Sequence, residues 1–164
     1  MTRWLDPHPV EIPDSLADLN LPPFITRTLV RRGIVDIESA RAFLHPDALP
    51  SVPFPGIERA VEYIILATRK SRPICVWGDF DVDGQTSTTL LVQTLQALGA
   101  NVSYYIPIRG KESHGVHIES LKPIIDNGAK LIVTCDTGIT AHEAIDYANS
   151  RGVDVVVTDH HDLG

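Results

Sequence analysis

The chain has 164 residues, of which 43% are hydrophobic, and its formal net charge is −7 at pH 7. This hydrophobic content is enough for a packed core, so the composition excludes extensive disorder. The acidic excess argues against a surface covered by basic patches. It does not exclude a phosphate substrate, because divalent cations bound by acidic side chains make the local electrostatic potential of a site positive. No apolar run is long enough to span a bilayer, and we expect no membrane association.

Two cysteines, Cys75 and Cys135, lie inside apolar runs of the sequence. Such positions favour buried, reduced thiols, which are typical of the cytosol. Residues 1–15 contain prolines and acidic residues where a secretory signal would have an apolar centre. We therefore predict a cytoplasmic protein.

Residues 1–55 predict a small helical leader followed by a linker. The segment 22–33 places its apolar residues on one helical face and ends at a glycine, which is a common helix stop. The segment 36–46 begins at the N-cap candidate Asp36 and stops before a proline. The proline-rich segment 45–56 predicts an irregular connection to the rest of the chain.

Residues 56–164 predict one α/β domain, because helical patterns alternate with short, continuous apolar runs. Such runs are typical of strands buried on both faces, and their alternation with helices indicates parallel strands joined by right-handed crossovers. We expect an open, mostly parallel, Rossmann-like sheet with helices on both faces. The predicted helices are 56–70, 84–99, 117–128 and 140–152, and the predicted strands are 73–79, 101–108, 130–136 and 154–161.

Polar side chains follow all four predicted strands. Ligands of open parallel sheets bind outside the carboxyl ends of the strands, so these side chains predict one functional site at that edge. They are the carboxylates Asp79, Asp81, Asp83, Asp136, Asp159 and Asp162, the imidazoles His114, His117, His160 and His161, and the guanidinium of Arg109.

The first strand end carries aspartates spaced by two, Asp79, Asp81 and Asp83. In an extended segment they would project to the same side, and a divalent cation is the simplest way to neutralise their repulsion. The pattern also matches the opening of an EF-hand loop, but Leu90 stands where that loop needs its bidentate glutamate. A further alternative is an acidic turn that caps the following helix through Asp83.

The motif Cys-Asp-Thr-Gly-Ile contains Asp136. A single copy in an α/β pattern does not fit an aspartic protease, which needs two copies in an all-β fold. We interpret Asp136 as a strand-end carboxylate, with Gly138 allowing a sharp turn. The alternative is an N-cap of the next helix.

His160 and His161 follow the last strand. If they leave an extended strand, they point to opposite sides, so that one ring binds a metal ion and the other faces the substrate. Asp159 would accept a ring N–H and set the tautomer. Two solvated loop histidines are the alternative.

Carboxylates mixed with imidazoles, and without thiolates, suit Mn²⁺ or Mg²⁺ better than zinc. The number of candidate ligands exceeds the need of one ion. Two ions ~3.5–4 Å apart, bridged by a carboxylate, are used for phosphate-ester hydrolysis. Arg109 would hold a phosphate with its planar fork, unless it is a solvated surface arginine.

These motifs together resemble the DHH phosphoesterase superfamily, which is named after the triplet Asp159-His160-His161. Four segments, 76–91, 104–117, 131–140 and 155–164, resemble the RecJ-type single-strand-specific DNA exonucleases within it. The leader also resembles the segment that precedes the catalytic core in that branch. The matching leader residues are Trp4, Leu21, Pro22, Arg32, Gly33, Phe43, Leu44, Pro46, Pro53 and Phe54.

The resemblance implies a role for each site residue. The metal ligands would be Asp79, Asp81, Asp83, Asp136 and His160. Asp136 would bridge the two ions, and Asp79 would either bind an ion directly or hydrogen-bond to a residue that does. The catalytic set would be Asp136, Asp159 and His161. Substrate would be held by Arg109, His114 and His161, the last facing the scissile phosphate.

The resemblance also implies 5′-to-3′ hydrolysis of single-stranded DNA in repair and recombination, with replication or repair proteins as candidate partners. Ser113-His114-Gly115 stands where the pattern has Gly-Tyr-Gly, so a stacking aromatic is lost or replaced by His114. The pattern continues past Asp-His-His to another metal-binding aspartate. We therefore expect an N-terminal part of a longer enzyme that is weakly active or inactive alone. Alternatives are a relative acting on short oligoribonucleotides, cyclic dinucleotides or pyrophosphate, and a non-catalytic DNA-binding relative.

Overall fold

The computed structural model describes residues 5, 7–45 and 54–162. The chain divides into two compact units, Met1–Pro53 and Phe54–Gly164. No helix of the described ranges is long and apolar enough to cross a membrane.

The first unit contains a 3₁₀ helix, Asp14–Leu19, and two α-helices, α1 (Pro23–Arg31) and α2 (Ile37–Leu44). The predicted cap of α2 is confirmed, since the carboxylate of Asp36 accepts a hydrogen bond from the backbone amide of Ser39 at 2.8 Å. The 3₁₀ helix was not predicted. A small apolar core joins these elements, and its buried members are Leu16, Leu29 and Ala40. The predicted stop at Pro46 and most of the predicted linker lie outside the described residues.

The second unit is a four-stranded parallel sheet with the strand order β2-β1-β3-β4. The predicted α/β fold class is confirmed. The strands are β1 (Ile74–Trp77), β2 (Val102–Tyr105), β3 (Leu131–Thr134) and β4 (Asp154–Val156), and the helices are α3 (Ile57–Arg69), α4 (Val82–Ala97), α5 (Ile118–Asp126) and α6 (His142–Ser150).

Helices cover both faces of this sheet. Ile74 and Val76 of β1 pack in a cluster with residues of α3 and α4. Cys75 and Trp77, which alternate with them along the strand, pack in a second cluster with residues of α5 and α6. All four residues of β1 and of β3 are buried, which explains their continuous apolar sequence.

The order of the strands places the ends of β1 and β3 side by side. From β1 the chain crosses to β2 at one edge, whereas from β3 it crosses to β4 at the other edge. Such a reversal opens a crevice at the carboxyl ends of the two central strands, where open α/β sheets bind ligands. The residues that follow Trp77 and Thr134 therefore meet in this crevice, because these two residues are register partners.

Two predicted boundaries differ from the structure, and both affect the site. Helix α4 begins at Val82, whereas the sequence predicted a start at Gly84. Strand β4 ends at Val156, although the sequence predicted that it continues to His161. Both differences arise because polar residues at the strand ends bond to the backbone and leave the extended conformation.

Candidate metal centre

Asp136 lies at the centre of the site, directly after β3. Its side chain is 7% exposed, and Nε2 of His160 lies 2.9 Å from its Oδ1. Nδ1 of His161 lies 3.9 Å from the same oxygen. Each of the three residues offers one ligand atom within 4.8 Å of the others. The structure therefore brings together three predicted site residues that come from two different strand ends.

Oδ1 of Asp136 is buried and accepts no aligned hydrogen bond from any residue that the structure describes. Burial and the nearby charge of Asp81 raise the pKa of Asp136, and the two imidazoles only partly offset this effect. A buried carboxylate oxygen without an aligned donor is costly, so such an atom usually serves a ligand. A divalent cation between Asp136 and the imidazoles would fit this donor set.

The backbone of Asp136 adopts a left-handed conformation with φ of 60°. This conformation is uncommon for a residue with a side chain, and it costs free energy that the surrounding structure must supply. Asp136 does not cap a helix, because α6 begins only at His142. The alternative of an N-cap is therefore wrong.

Asp159 holds His161 and the turn that carries it. Its Oδ1 accepts hydrogen bonds from Nδ1 of His161 at 2.6 Å and from the backbone amides of His160 and His161 at 2.8 and 3.1 Å. Its Oδ2 accepts a hydrogen bond from the amide of Ile139 at 3.0 Å. Burial alone would raise the pKa of Asp159, but these hydrogen bonds outweigh it and lower the pKa. The hydrogen bond that His161 donates to Asp159 in turn raises the pKa of His161.

The two histidines do not point to opposite sides, so this expectation is wrong. Their ring centroids lie 4.7 Å apart, and both rings lie near Asp136. The reason is that β4 has already ended, so the alternation of a strand does not apply to them. The predicted hydrogen bond to Asp159 does form, and its donor is His161.

Asp79 follows β1 and is buried, with 4% of its side chain exposed. It accepts hydrogen bonds from the amide of Phe80 at 2.7 Å and from Nδ1 of His114 at 2.5 Å. Gly84 packs against it so closely that an added Cβ would lie 2.6 Å from the Asp79 backbone nitrogen. A glycine is therefore required where α4 passes the end of β1.

The three aspartates after β1 do not share one extended segment, so that expectation is also wrong. Asp81 is the N-cap of α4 and accepts a hydrogen bond from the amide of Gly84 at 2.9 Å. Asp83 lies in the first turn of the helix with an exposed side chain. The helix is thus capped through Asp81 and not through Asp83. The roles of Asp81 and Asp83 as ligands stay predictions.

A cleft of about 430 Å³ joins the ends of β1, β3 and β4. The predicted site residues that line it are Asp79, His114, Asp136, Asp159, His161 and Asp162. His117 is not among the described residues that line this cleft. Its Nε2 contacts Oγ of Ser113 at 2.9 Å and the carbonyl of His114 at 3.0 Å.

Phe80 is a candidate site residue that the sequence did not predict. Its ring centroid lies 4.1 Å from that of His114, and the guanidinium carbon of Arg109 lies 5.5 Å from it. It therefore positions both predicted substrate-binding residues on one platform. The available signal was an aromatic residue placed between two candidate ligands.

The Asp159–His161 pair predicts a defined pH dependence. Asp159 has a lowered pKa, so its contribution to stability is present above ~3.9 and is lost as the pH falls. His161 has a raised pKa, so its contribution is present below ~6.5 and is lost as the pH rises through its folded-state value. The pair therefore stabilises the fold most between these two values.

Asp159→Asn is expected to lower the pKa of His161 towards ~6.5, because the carboxylate that holds the protonated ring is removed. An NMR titration of the His161 ring measures this change. Asp146→Asn, an exposed position on α6, is the control and should leave the pKa of His161 in place. An unchanged pKa in Asp159→Asn would contradict the pairing.

Comparison with known proteins identifies the family of this site. Residues 73–164 match the sequence profile of the DHH family, N-terminal domain. The chain therefore belongs to the DHH family. It is 42% identical over 149 residues to the single-stranded-DNA-specific exonuclease RecJ of Bacillus subtilis and 39% identical over 151 residues to that of Escherichia coli. These alignments cover 89% and 90% of the chain, but only 19% and 26% of the relatives.

The fold of this chain is also similar to solved structures of RecJ exonucleases. A crystal structure of exonuclease RecJ bound to manganese superposes with a TM-score of 0.66 at 40% identity, over 71% of this chain and 30% of that one. RecJ of Thermus thermophilus in complex with Mn²⁺ superposes with a TM-score of 0.64 at 33% identity, over 92% of this chain and 21% of that one. The predicted resemblance is confirmed.

Proposed function

We propose that this chain forms the N-terminal part of the catalytic domain of a single-stranded DNA exonuclease that hydrolyses phosphodiester bonds from the 5′ end in DNA repair and recombination. The observation that carries the proposal is the buried, unsatisfied Oδ1 of Asp136, which faces two imidazoles. The manganese named in the structures of the RecJ relatives supports it.

Two divalent ions, Mn²⁺ or Mg²⁺, are proposed because the candidate ligands exceed the need of one ion. Nε2 of His160 lies 2.9 Å from Oδ1 of Asp136. Asp81 is close enough for its charge to act on Asp136, and Asp79 lines the same cleft. Asp83 completes the proposed ligand set. When bound, such ions supply an activated water and neutralise charge on a phosphodiester.

The residues of the chain itself orient the substrate. Since Nδ1 of His161 bonds to Asp159, its Nε2 is left to donate to a phosphate oxygen when the ring is protonated. The raised pKa of His161 favours this protonated form. Arg109 and His114, gathered around Phe80, would hold the remaining phosphate and base of the strand.

The chain is proposed to act in the cytoplasm. Both Cys75 and Cys135 are buried and free, and burial raises the pKa of Cys75 to about 11, which keeps its thiol protonated and unreactive. The expected partners are single-stranded DNA and proteins of replication or repair.

The test uses the protein encoded by the whole reading frame that contains these residues, with Mn²⁺ and labelled DNA. We expect degradation of 5′-phosphorylated single strands from that end, little degradation of duplexes, and loss of about 100-fold or more of the rate in His161→Ala. A preference for pyrophosphate or for di- and trinucleotides would favour the alternative substrates. Binding without hydrolysis would favour a non-catalytic DNA-binding relative.

A further inference from the structure

The loop between β2 and α5, residues 106–117, carries both proposed substrate-binding side chains, Arg109 and His114. Both residues are exposed. Within the loop, the backbone amides of Lys111 and Glu112 donate to the carbonyl of Ile108 at 3.0 and 3.1 Å. These two bonds form a local turn, which does not by itself fix the loop against the sheet.

The carboxylate of Glu112 connects the loop to the rest of the domain, in addition to the contact of His114 with Asp79. It accepts hydrogen bonds from the hydroxyl of Tyr105 at 2.6 and 2.8 Å, from the amide of Ile108 at 2.9 Å, and from the hydroxyl of Ser120. Tyr105 is the last residue of β2, and Ser120 lies in the first turn of α5. One carboxylate thus joins a strand end, the loop and a helix start.

The anchor on the strand side packs against the core of the domain. Tyr105 packs against the fully buried Trp77, with ring centroids 4.5 Å apart. Hydrogen bonds from Ser120 and Tyr105 hold the pKa of Glu112 below its ordinary value, so the carboxylate is ionised at neutral pH and accepts all its bonds in the stronger, charge-assisted form.

Glu112 is not among the described residues that line the cleft around Asp136 or the neighbouring cavity between α5 and α6. Within the described residues, its carboxylate bonds to Tyr105, Ile108 and Ser120. We therefore expect its effect on the substrate to pass through the loop.

We propose that Glu112 is a positioning residue, which clamps the loop 106–117 so that Arg109 and His114 stand beside Phe80 at the edge of the metal centre. This proposal rests on the proposed function for the part that concerns the substrate. The structural part of the proposal, in which Glu112 holds the loop in place, depends only on the observed contacts of Glu112 and not on the proposed function.

Hydrogen exchange of the 164-residue chain tests the clamp without any substrate. Glu112→Gln keeps the shape of the side chain but removes its charge and replaces one accepting oxygen by an NH₂ group. The amide of Ile108 cannot donate to this group, and the hydroxyls can bond to it only as acceptors and without charge assistance. We expect exchange of the loop amides to rise about tenfold or more while β1 and β3 stay protected. Glu58→Gln, an exposed position on α3, is the control. Unchanged exchange of the loop in Glu112→Gln would overturn the proposal.

Binding of a 5′-phosphorylated single-stranded oligonucleotide at saturating Mn²⁺ tests the consequence. We expect Glu112→Gln to weaken oligonucleotide binding about tenfold and to leave Mn²⁺ affinity unchanged. In an Arg109→Ala background the effect should be clearly smaller, because the clamp acts through Arg109. An equal effect in both backgrounds would show that Glu112 does not act through this residue. This binding test uses the protein encoded by the whole reading frame, because the 164-residue chain covers only part of its relatives. If that protein binds no oligonucleotide, the proposed function fails, while hydrogen exchange still decides on the clamp.

Discussion

Replacing Asp136 by asparagine is expected to weaken Mn²⁺ binding by more than about 100-fold, since losing a group that merely supports a ligand already costs about 10–100-fold. Asparagine keeps the shape of the side chain and tolerates the left-handed backbone at this position. A loss of Mn²⁺ affinity in this variant would therefore result from the missing negative charge and not from a change of fold. Calorimetric titration with Mn²⁺ measures it.

The same substitution is expected to raise the melting temperature of the metal-free chain. Because burial raises the pKa of Asp136, its ionised form destabilises the folded state at neutral pH, and asparagine removes this penalty. Saturating Mn²⁺ should stabilise the unaltered chain by linkage, about 2.7 kcal/mol at 100 times the dissociation constant, but not Asp136→Asn.

Asp162→Asn is the matched control, because Asp162 lines the same cleft but is exposed. It should change Mn²⁺ affinity much less than Asp136→Asn does. Equal losses in both variants would contradict the central position of Asp136. A melting temperature that falls in metal-free Asp136→Asn would contradict the interpretation of its buried, unsatisfied oxygen.

Gly84→Ala is expected to destabilise the chain by about 2 kcal/mol, in the range of overpacking in a tight interior. In an ordinary helix the same change stabilises by up to about 1 kcal/mol. Here the added methyl group would lie 2.6 Å from the Cβ and the backbone nitrogen of Asp79, and backbone atoms cannot rotate away. Asp79 must move, so Mn²⁺ binding should weaken as well.

Denaturant unfolding and Mn²⁺ titration together measure this effect. Thr89→Ala, at an exposed position of α4, is the control: it changes the same helix without adding bulk beside Asp79. A more stable Gly84→Ala chain would show that α4 does not approach the end of β1 as closely in solution.

Much of the site could be predicted because its residues follow strands directly. Asp79, Asp136 and Asp159 each stand at the end of an apolar run, and such ends converge in a parallel sheet. The local geometry of the aspartates after β1 could not be predicted in the same way. The side chain of Asp81 competes for a backbone amide and starts α4 two residues earlier than the apolar pattern indicates.

By itself, the sequence determined the alternation of helices and strands and the residue types at each strand end, because periodicity and turn residues act over short distances along the chain. Only the tertiary structure decided that β1 and β3 are neighbours, which places Asp79 and Asp136 in one crevice. It also decided that Glu112 reaches Tyr105 and Ser120. These contacts depend on strand order and on crossovers between distant segments, and no local pattern encodes them.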